Sequence, residues 1–408
     1  MLYKALTAIL VILSCILLYT TYRVVTGEPG DVRSSFGLYS DDGQSRELLE
    51  RFTREREERL QPEEPPRQEP VRPMQEVARS LEVPWDIAFL PNSGFLVTER
   101  PGRVVLFDEQ GNRAVIHAEN VIQRGEAGLL GMVLHPNFTR NRYVYLYKTV
   151  TSGGRTVNEV NRYTFTGSSL TNKTLIVGDI PGAVYHDGGR LEFGPDRKLY
   201  IATGDASNDQ LAQDITSLAG KILRVNDDGT IPEDNPFSEN PFVYAYGLRN
   251  VQGMAWDTRG RMFATDHGPS ASTFCCRDEL NFIQKGKNYG WPEITADETR
   301  EGMETPYLHS GTFTTWAPAS LAFASGSLWF GGLRGAALYE VRFEEGEPVL
   351  HEHFKNEYGR IRTVRTGPDG MLYFMTSNRD GRGQPKVGDD RIFKVDPRMF
   401  RVTEQNTQ

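Results

Sequence analysis

The chain has 408 residues, with 46 lysines and arginines against 54 aspartates and glutamates, a formal net charge of -8. That acidic balance, with no basic face standing out, argues against a nucleic-acid partner, and three cysteines are too few for a disulfide-held scaffold. The 40 glycines, 17 tyrosines and 21 phenylalanines favour a turn-rich β protein over a helical bundle.

The first element is apolar. Ala5 to Tyr22 (ALTAILVILSCILLYTTY) carries no charge, and as a helix it would span roughly 27 Å, close to the ~30 Å hydrocarbon core of a bilayer. No small-residue cleavage site follows, which favours a retained signal anchor over residues 1–24 rather than a cleaved signal peptide. The expectation is a single-pass membrane protein with its large polar part on the periplasmic or extracellular side. Residues 25–77 then change composition. RELLERFTREREERL (46–60) reads as a charged helix, and PEEPPRQEPVRP (62–73) as an extended proline-rich tether. This stretch has too few apolar residues for a core. It is either a stalk or filler.

After Val77 a unit recurs: an apolar strand, a Pro/Asp/Gly turn, and a second strand rich in Tyr, Phe and Thr. Its copies are WDIAFLPNSGFLVTER (85–100), GMVLHPNFTRNRYVYLYKT (131–149), LEFGPDRKLYIATGD (191–205), GMAWDTRGRMFATDHG (253–268), SLAFASGSLWFGGLRG (320–335) and RTVRTGPDGMLYFMTSN (362–378). Six hairpins spaced by roughly 45–65 residues predict an all-β, six-bladed β-propeller over residues 78–400, with 401–408 as a tail. Each copy supplies the two inner strands of a blade. The last strand candidate, RIFKVDP (391–397), is expected to close the ring by pairing with the first blade.

Inner strands of a propeller end around a central mouth, so polar residues at their ends are site candidates. His186, just before the third copy, is a candidate general base, and Asp205 closes the same hairpin and can return beside it. A solvent-exposed loop histidine is the competing reading. Arg249 and Asn250 precede the fourth copy, Arg334 ends the fifth, and Arg360 and Arg362 lie at the start of the sixth. Arginines converging on a mouth call for an anion such as a polycarboxylate. Solvated surface charge is the alternative. DELNFIQKGKNYGWP (278–292) holds Glu279 and Tyr289 in an irregular stretch of the kind that offers oxygens to calcium. Cys275 and Cys276 are adjacent, either as a vicinal disulfide or as two thiols.

Several long strings resemble the soluble quinoprotein glucose/sorbosone dehydrogenases, and within them the aldose sugar dehydrogenases. They are GEAGLLGMVLHPNF (125–138), HDGGRLEFGPDRKLYIATGD (186–205), AGKILRVNDDGTIPEDNPF (219–237), YGLRNVQGMAWD (246–257), DHGP (266–269), DELNFIQKGKNYGWP (278–292) and GRIRTVRTGPDG (359–370). The resemblance implies a six-bladed propeller that binds pyrroloquinoline quinone and calcium and oxidises the anomeric hydroxyl of an aldose. It implies that His186 is the general base, that Asp205 orients it, and that Arg249 polarises the quinone with Asn250 beside it. It further implies cofactor contacts from Thr315, Arg360 and Arg362, cofactor calcium on the carbonyls of Gly268 and Pro269, and a structural calcium at Glu279 and Tyr289. The physiological electron acceptor has no signature in the chain.

Three features depart from the family pattern. Glu126 stands at the cofactor position where a glutamine is usual, and a carboxylate there is unfavourable unless protonated or paired. Arg334 replaces a lysine. SASTFCCR follows DHGP and lengthens the link to Asp278. The first and last of these favour a different reading, a non-catalytic extracellular propeller that binds a protein or glycan. His186, Asp205 and Arg249 oppose it. A calcium-dependent lactone or ester hydrolase lacks the set of inward carboxylates it would need.

Overall fold

The computed structural model describes residues 73–269 and 275–401. The expected membrane segment, the charged stretch 46–60 and nearly all of the tether lie outside these residues, as does the tail from 402. Among the described residues no helix is long and apolar enough to cross a membrane.

A short strand, β1 (Gln75–Ala78), comes first. Blade 1 follows as β2 (Pro84–Phe89), β3 (Phe95–Glu99), β4 (Arg103–Phe107) and β5 (Arg113–Ala118). Blade 2 is β6 (Leu129–Leu134), β7 (Tyr143–Ser152), β8 (Arg155–Phe165) and β9 (Leu170–Pro181). Blade 3 is β10 (Leu191–Phe193), β11 (Leu199–Ala202), β12 (Lys221–Val225) and β13 (Val243–Tyr246). Blade 4 is β14 (Val251–Trp256), β15 (Met262–Asp266), β16 (Glu279–Ile283) and β17 (Leu308–His309). Blade 5 is β18 (Pro318–Ala324), β19 (Ser327–Gly332), β20 (Leu338–Glu344) and β21 (Glu347–His353). Blade 6 is β22 (Ile361–Thr366), β23 (Leu372–Thr376) and β24 (Ile392–Val395), completed by β1. All neighbours within a blade are antiparallel.

The innermost strands touch in cyclic order, β2 to β6, β10, β14, β18, β22 and back to β2. The expected six-bladed propeller is therefore present, and each repeated hairpin forms the two inner strands of a blade. The apolar core is divided into layers between neighbouring blades. Trp85, Tyr145, Leu191 and Ile201 belong to the layer between blades 2 and 3, and Ile87, Val97, Tyr373 and Met375 to the one between blades 6 and 1. A blade sandwiched on both faces buries both sides of its strands, so β3, β11, β15, β19 and β23 are buried at every position.

The closure differs from the expectation. β24 remains the third strand of its own blade, and β1 comes round to it, pairing Gln75 with Lys394 and Glu76 with Phe393. The last repeat supplies only three strands, so β24 has an open edge. That unpaired row of backbone groups is satisfied by the strand at the other end of the domain. The propeller accordingly begins at Gln75, within the stretch read as stalk.

Inside the ring, charges stitch blades together. Asp86 on β2 is fully buried and forms ion pairs with Arg190 (2.5 Å) and with Arg365 of β22 (3.1 Å). Arg365 also pairs with Glu192 of β10, and Arg190 donates to the Gln252 carbonyl and lies 4.5 Å over the Trp85 ring. Burial by itself would raise the Asp86 pKa, but the two arginines hold it below the ordinary carboxylate value. Asp86→Asn leaves two buried guanidinium groups short of a partner. It is expected to lower stability by about 3–5 kcal/mol, measured by denaturant unfolding. Removing the exposed Arg79–Glu76 pair is expected to change it by less than about 1 kcal/mol.

Candidate active site

The site begins with a strand register. Leu191 of β10 pairs with Ile201 of β11, so the chain entering β10 meets the chain leaving β11. His186 and Asp205 sit on those two ends. His186 Nδ1 lies 2.8 Å from Asp205 Oδ1. Asp205 is buried and doubly anchored: the Ser207 amide donates to Oδ1 (2.8 Å), and Trp291 Nε1 donates to Oδ2 (2.9 Å). A carboxylate can only accept, so the imidazole proton resides on Nδ1 and Nε2 keeps its lone pair. The His186 backbone is left-handed, with φ 63°. Gly204 makes that turn possible, because a Cβ there would lie 1.9 Å from the His186 carbonyl oxygen.

Blade 4 supplies the next side chains. Asp266, the last residue of β15, accepts from the backbone amides of Arg249 (2.8 Å) and Asn250 (2.6 Å) and fixes the turn into β14. The Arg249 carbonyl in turn accepts from the Asp205 amide, joining the two turns. The Arg249 guanidinium lies 5.2 Å over the Trp291 ring and donates to the His267 carbonyl (3.0 Å). Asn250 accepts from the Gly188 amide (3.0 Å) and donates to Glu126 (3.1 Å).

These groups face a cleft of about 500 Å³ at the propeller mouth, which Glu126, Tyr185, His186, Arg249, Asn250, His267, Ala317, Leu333, Arg334, Arg360 and Arg382 line. Among the described residues, Arg249 and Arg334 form no ion pair with a carboxylate. The buried Arg249 Nε and His267 Nε2 have no hydrogen-bond partner there. A cleft with unpaired guanidinium groups and orphaned buried polar nitrogens fits an anionic, hydrogen-bonding guest.

The remaining expected contacts divide. Arg360 reaches the cleft but is already held by Asp380, through Nε at 2.9 Å and Nη2 at 2.7 Å. Arg362 is buried below it, bonded to Gln252 (2.7 Å) and lying 5.6 Å over Trp85. Burial pushes its guanidinium down to about 9. Thr315 donates to Asp278 (2.9 Å) and is not among the cleft-lining residues. Glu126 is paired. One oxygen contacts Arg382 at 3.0 Å; the other accepts from the His186 amide and from Asn250, each at 3.1 Å. Burial opposes its ionisation, yet the positive groups around it, His267 and Arg382 first, hold it down to about 2. Burial pushes His267 itself down to about 4, so at neutral pH Arg382 is the stronger of those two partners.

Gly268 and Pro269 line a narrow crevice next to the cleft, with Asp266 and Glu279. Gly268 is pinned by its amide to Asp278 Oδ1 (2.9 Å), and a Cβ there would lie 1.9 Å from the Cys276 carbonyl oxygen. Cys275 and Cys276 are joined as a disulfide, and residues 270–274 lie outside the described set. The crevice brings the oxygens of Asp266 and Glu279, the type calcium takes, beside the side chains of Arg249 and Arg277. The side chains of Glu279 and Tyr289 do not meet: Glu279 accepts from Ala296 N and Asn281 Nδ2, while the Tyr289 hydroxyl bonds the Phe282 carbonyl and the Gln284 amide. Burial, and then Asp266, push Glu279 up to about 8. No group of three or more His, Cys, Asp or Glu side chains suited to a metal occurs among the described residues.

Sequence reasoning passed over Trp291, Asp278, Tyr185 and Arg382 as contributors. Trp291 and Asp278 lay inside a string already singled out. Arg382 carried no local signal, because its partner Glu126 is 256 residues away in the chain.

Comparison with known proteins agrees with this geometry. The family model described as Glucose / Sorbosone dehydrogenase matches residues 81–385. An aldose sugar dehydrogenase of Escherichia coli, YliI, is 33% identical over 78% of this chain and 91% of its own length. An uncharacterized protein of Synechocystis is 36% identical over 75% of this chain and 84% of its own. The PQQ-bound form of the aldose sugar dehydrogenase from Streptomyces coelicolor superposes with a TM-score of 0.73 at 38% identity, covering 81% of this chain and 99% of that one. With three quarters of its length matched and its His–Asp pair opening on an arginine-lined mouth, the chain belongs to the glucose/sorbosone dehydrogenase family.

Proposed function

We propose that this protein is an aldose sugar dehydrogenase that uses pyrroloquinoline quinone and calcium to oxidise the anomeric hydroxyl of a sugar to a lactone. The observation that carries this reading is the His186–Asp205 pair at the edge of a cleft containing arginines without carboxylate partners. The PQQ-bound structural neighbour supports the choice of cofactor. The oxygens around Gly268 and Pro269, together with the family resemblance, support calcium. The uncharged apolar run Ala5–Tyr22 supports a membrane tether, with the propeller on the periplasmic or extracellular side.

Oxidising an anomeric C–OH removes one proton from oxygen and one hydride from carbon. Bound quinone supplies the two-electron acceptor for the hydride. His186 Nε2 takes the hydroxyl proton, and Asp205 holds the ring in the required tautomer and steadies the imidazolium that forms. Arg249, anchored between Trp291 and the His267 carbonyl, presents positive charge to the cleft. Asn250 and Arg334 would hold the anionic guest at its edges.

The first test is a titration of the purified protein with pyrroloquinoline quinone and calcium, followed by absorbance and then by dye reduction with a panel of aldoses. Saturable uptake and sugar-dependent reduction are expected, with uptake lost after chelation by EDTA. An absence of uptake at saturating quinone rejects the reading. His186→Asn is expected to lower kcat by roughly 10²- to 10⁴-fold with unchanged quinone uptake. Trp291→Phe removes the donor to Asp205 Oδ2 while keeping a ring under Arg249. It is expected to lower kcat by roughly tenfold with little change in KM.

A further inference from the structure

Glu126 is the residue at which this cleft departs most from what an anionic cofactor requires, and the structure contains a specific answer to it. The carboxylate is only 14% exposed. Two of its neighbours, the His186 amide and the Asn250 side chain, are cleft groups, so its charge lies within the cleft lining. Among the described residues its one salt-bridge partner is Arg382, from the loop between β23 and β24 on blade 6, whereas Glu126 precedes β6 on blade 2. The bridge therefore crosses the mouth past blade 1.

Arg382 is held in place for this contact. Its amide donates to Asp380 Oδ1 (2.9 Å), and Asp380 Oδ2 is clamped by Arg360. Its guanidinium lies 5.1 Å over the ring of Tyr185, the residue before His186. Arg360, Asp380, Arg382 and Glu126 thus form one chain of alternating charge that ends on the backbone of the base. Among the described cleft cations, Arg360 and Arg382 are neutralised within this chain, while Arg249 and Arg334 retain their charge for a guest.

We propose that Arg382 is a positioning residue of the cleft, neutralising Glu126 across the mouth so that an anionic quinone binds beside a carboxylate. The proposal rests on the quinone-dependent reading above. Without Arg382 the Glu126 carboxylate would repel the carboxylates of the guest. With it, Glu126 acts as a neutral acceptor, much as a glutamine would.

The test is quinone affinity, read by absorbance or tryptophan quenching without sugar, for wild type, R382A, R382K, E126Q and the double variant E126Q/R382A. R382A is expected to bind roughly 10- to 100-fold more weakly, because the largely buried Glu126 carboxylate is left without its half-exposed partner. R382K is expected to recover most of the loss. E126Q is expected to bind within about threefold of wild type, and E126Q/R382A to return close to E126Q, since the charge that needed neutralising is gone. A merely structural role for Arg382 would leave the double variant as weak as R382A, and that result overturns the proposal. R382A binding within twofold of wild type also overturns it. Where R382A does not fold, the comparison of E126Q with E126Q/R382A decides: equal affinities support the proposal and a tenfold gap sinks it. If wild type itself takes up no quinone, the quinone-dependent function fails and this role with it. Wild-type uptake combined with an unaffected R382A removes the role of Arg382 alone.

Discussion

A four-stranded blade with two apolar faces cannot stand by itself in water, and most of this structure follows from that constraint. Each blade must be covered on both sides, and a linear stack always leaves two outer faces bare. A ring leaves none. The six apolar layers between blades are the outcome, and the requirement extends to the chain ends. β1 supplies the fourth strand of the last blade, so the first and last described strands meet and the ring is clasped by backbone hydrogen bonds. Within the ring, where the innermost strands converge, Asp86, Arg190, Arg365 and Glu192 match charge across three blades.

The same ring geometry makes the site. Inner strands end at the mouth, and their last residues are turn residues whose backbone must be satisfied there. Asp266 and Asp278 serve as buried anchors for amides: the first holds Arg249 and Asn250, and the second holds Gly268, Trp316 and Ala317. Asp205 goes one step further and turns its buried acceptor toward an imidazole. Carboxylates committed to backbone or ring N–H groups do not compete for the arginines, and this is why Arg249 keeps its charge directed at the cleft in an acidic protein.

The hairpin repeat was legible because it is local: a turn and two apolar runs recur along the chain, and six of them already imply a ring. The pairing of His186 with Asp205 was legible for the same reason, since a single hairpin places them together. The direction of closure was not. RIFKVDP and QEVA are both short strand-like runs, and nothing in either says which edge it will complete. Alternation says little about these strands, because strands covered on both faces have no polar side to display.

The sequence by itself determined the repeat number, the strand pairs at the centre of each blade, and the pairing of His186 with Asp205, all of which rest on contacts within a few tens of residues. Only the tertiary structure decided that Glu126 is matched by Arg382, that Arg360 is engaged by Asp380, that Arg362 is buried against Gln252 and Trp85, and that Trp291 reaches Asp205. All of these but the Arg360–Asp380 pair, which lies within blade 6, join different blades. Ring closure brings such residues together across the mouth, where separation along the chain has no bearing on separation in space.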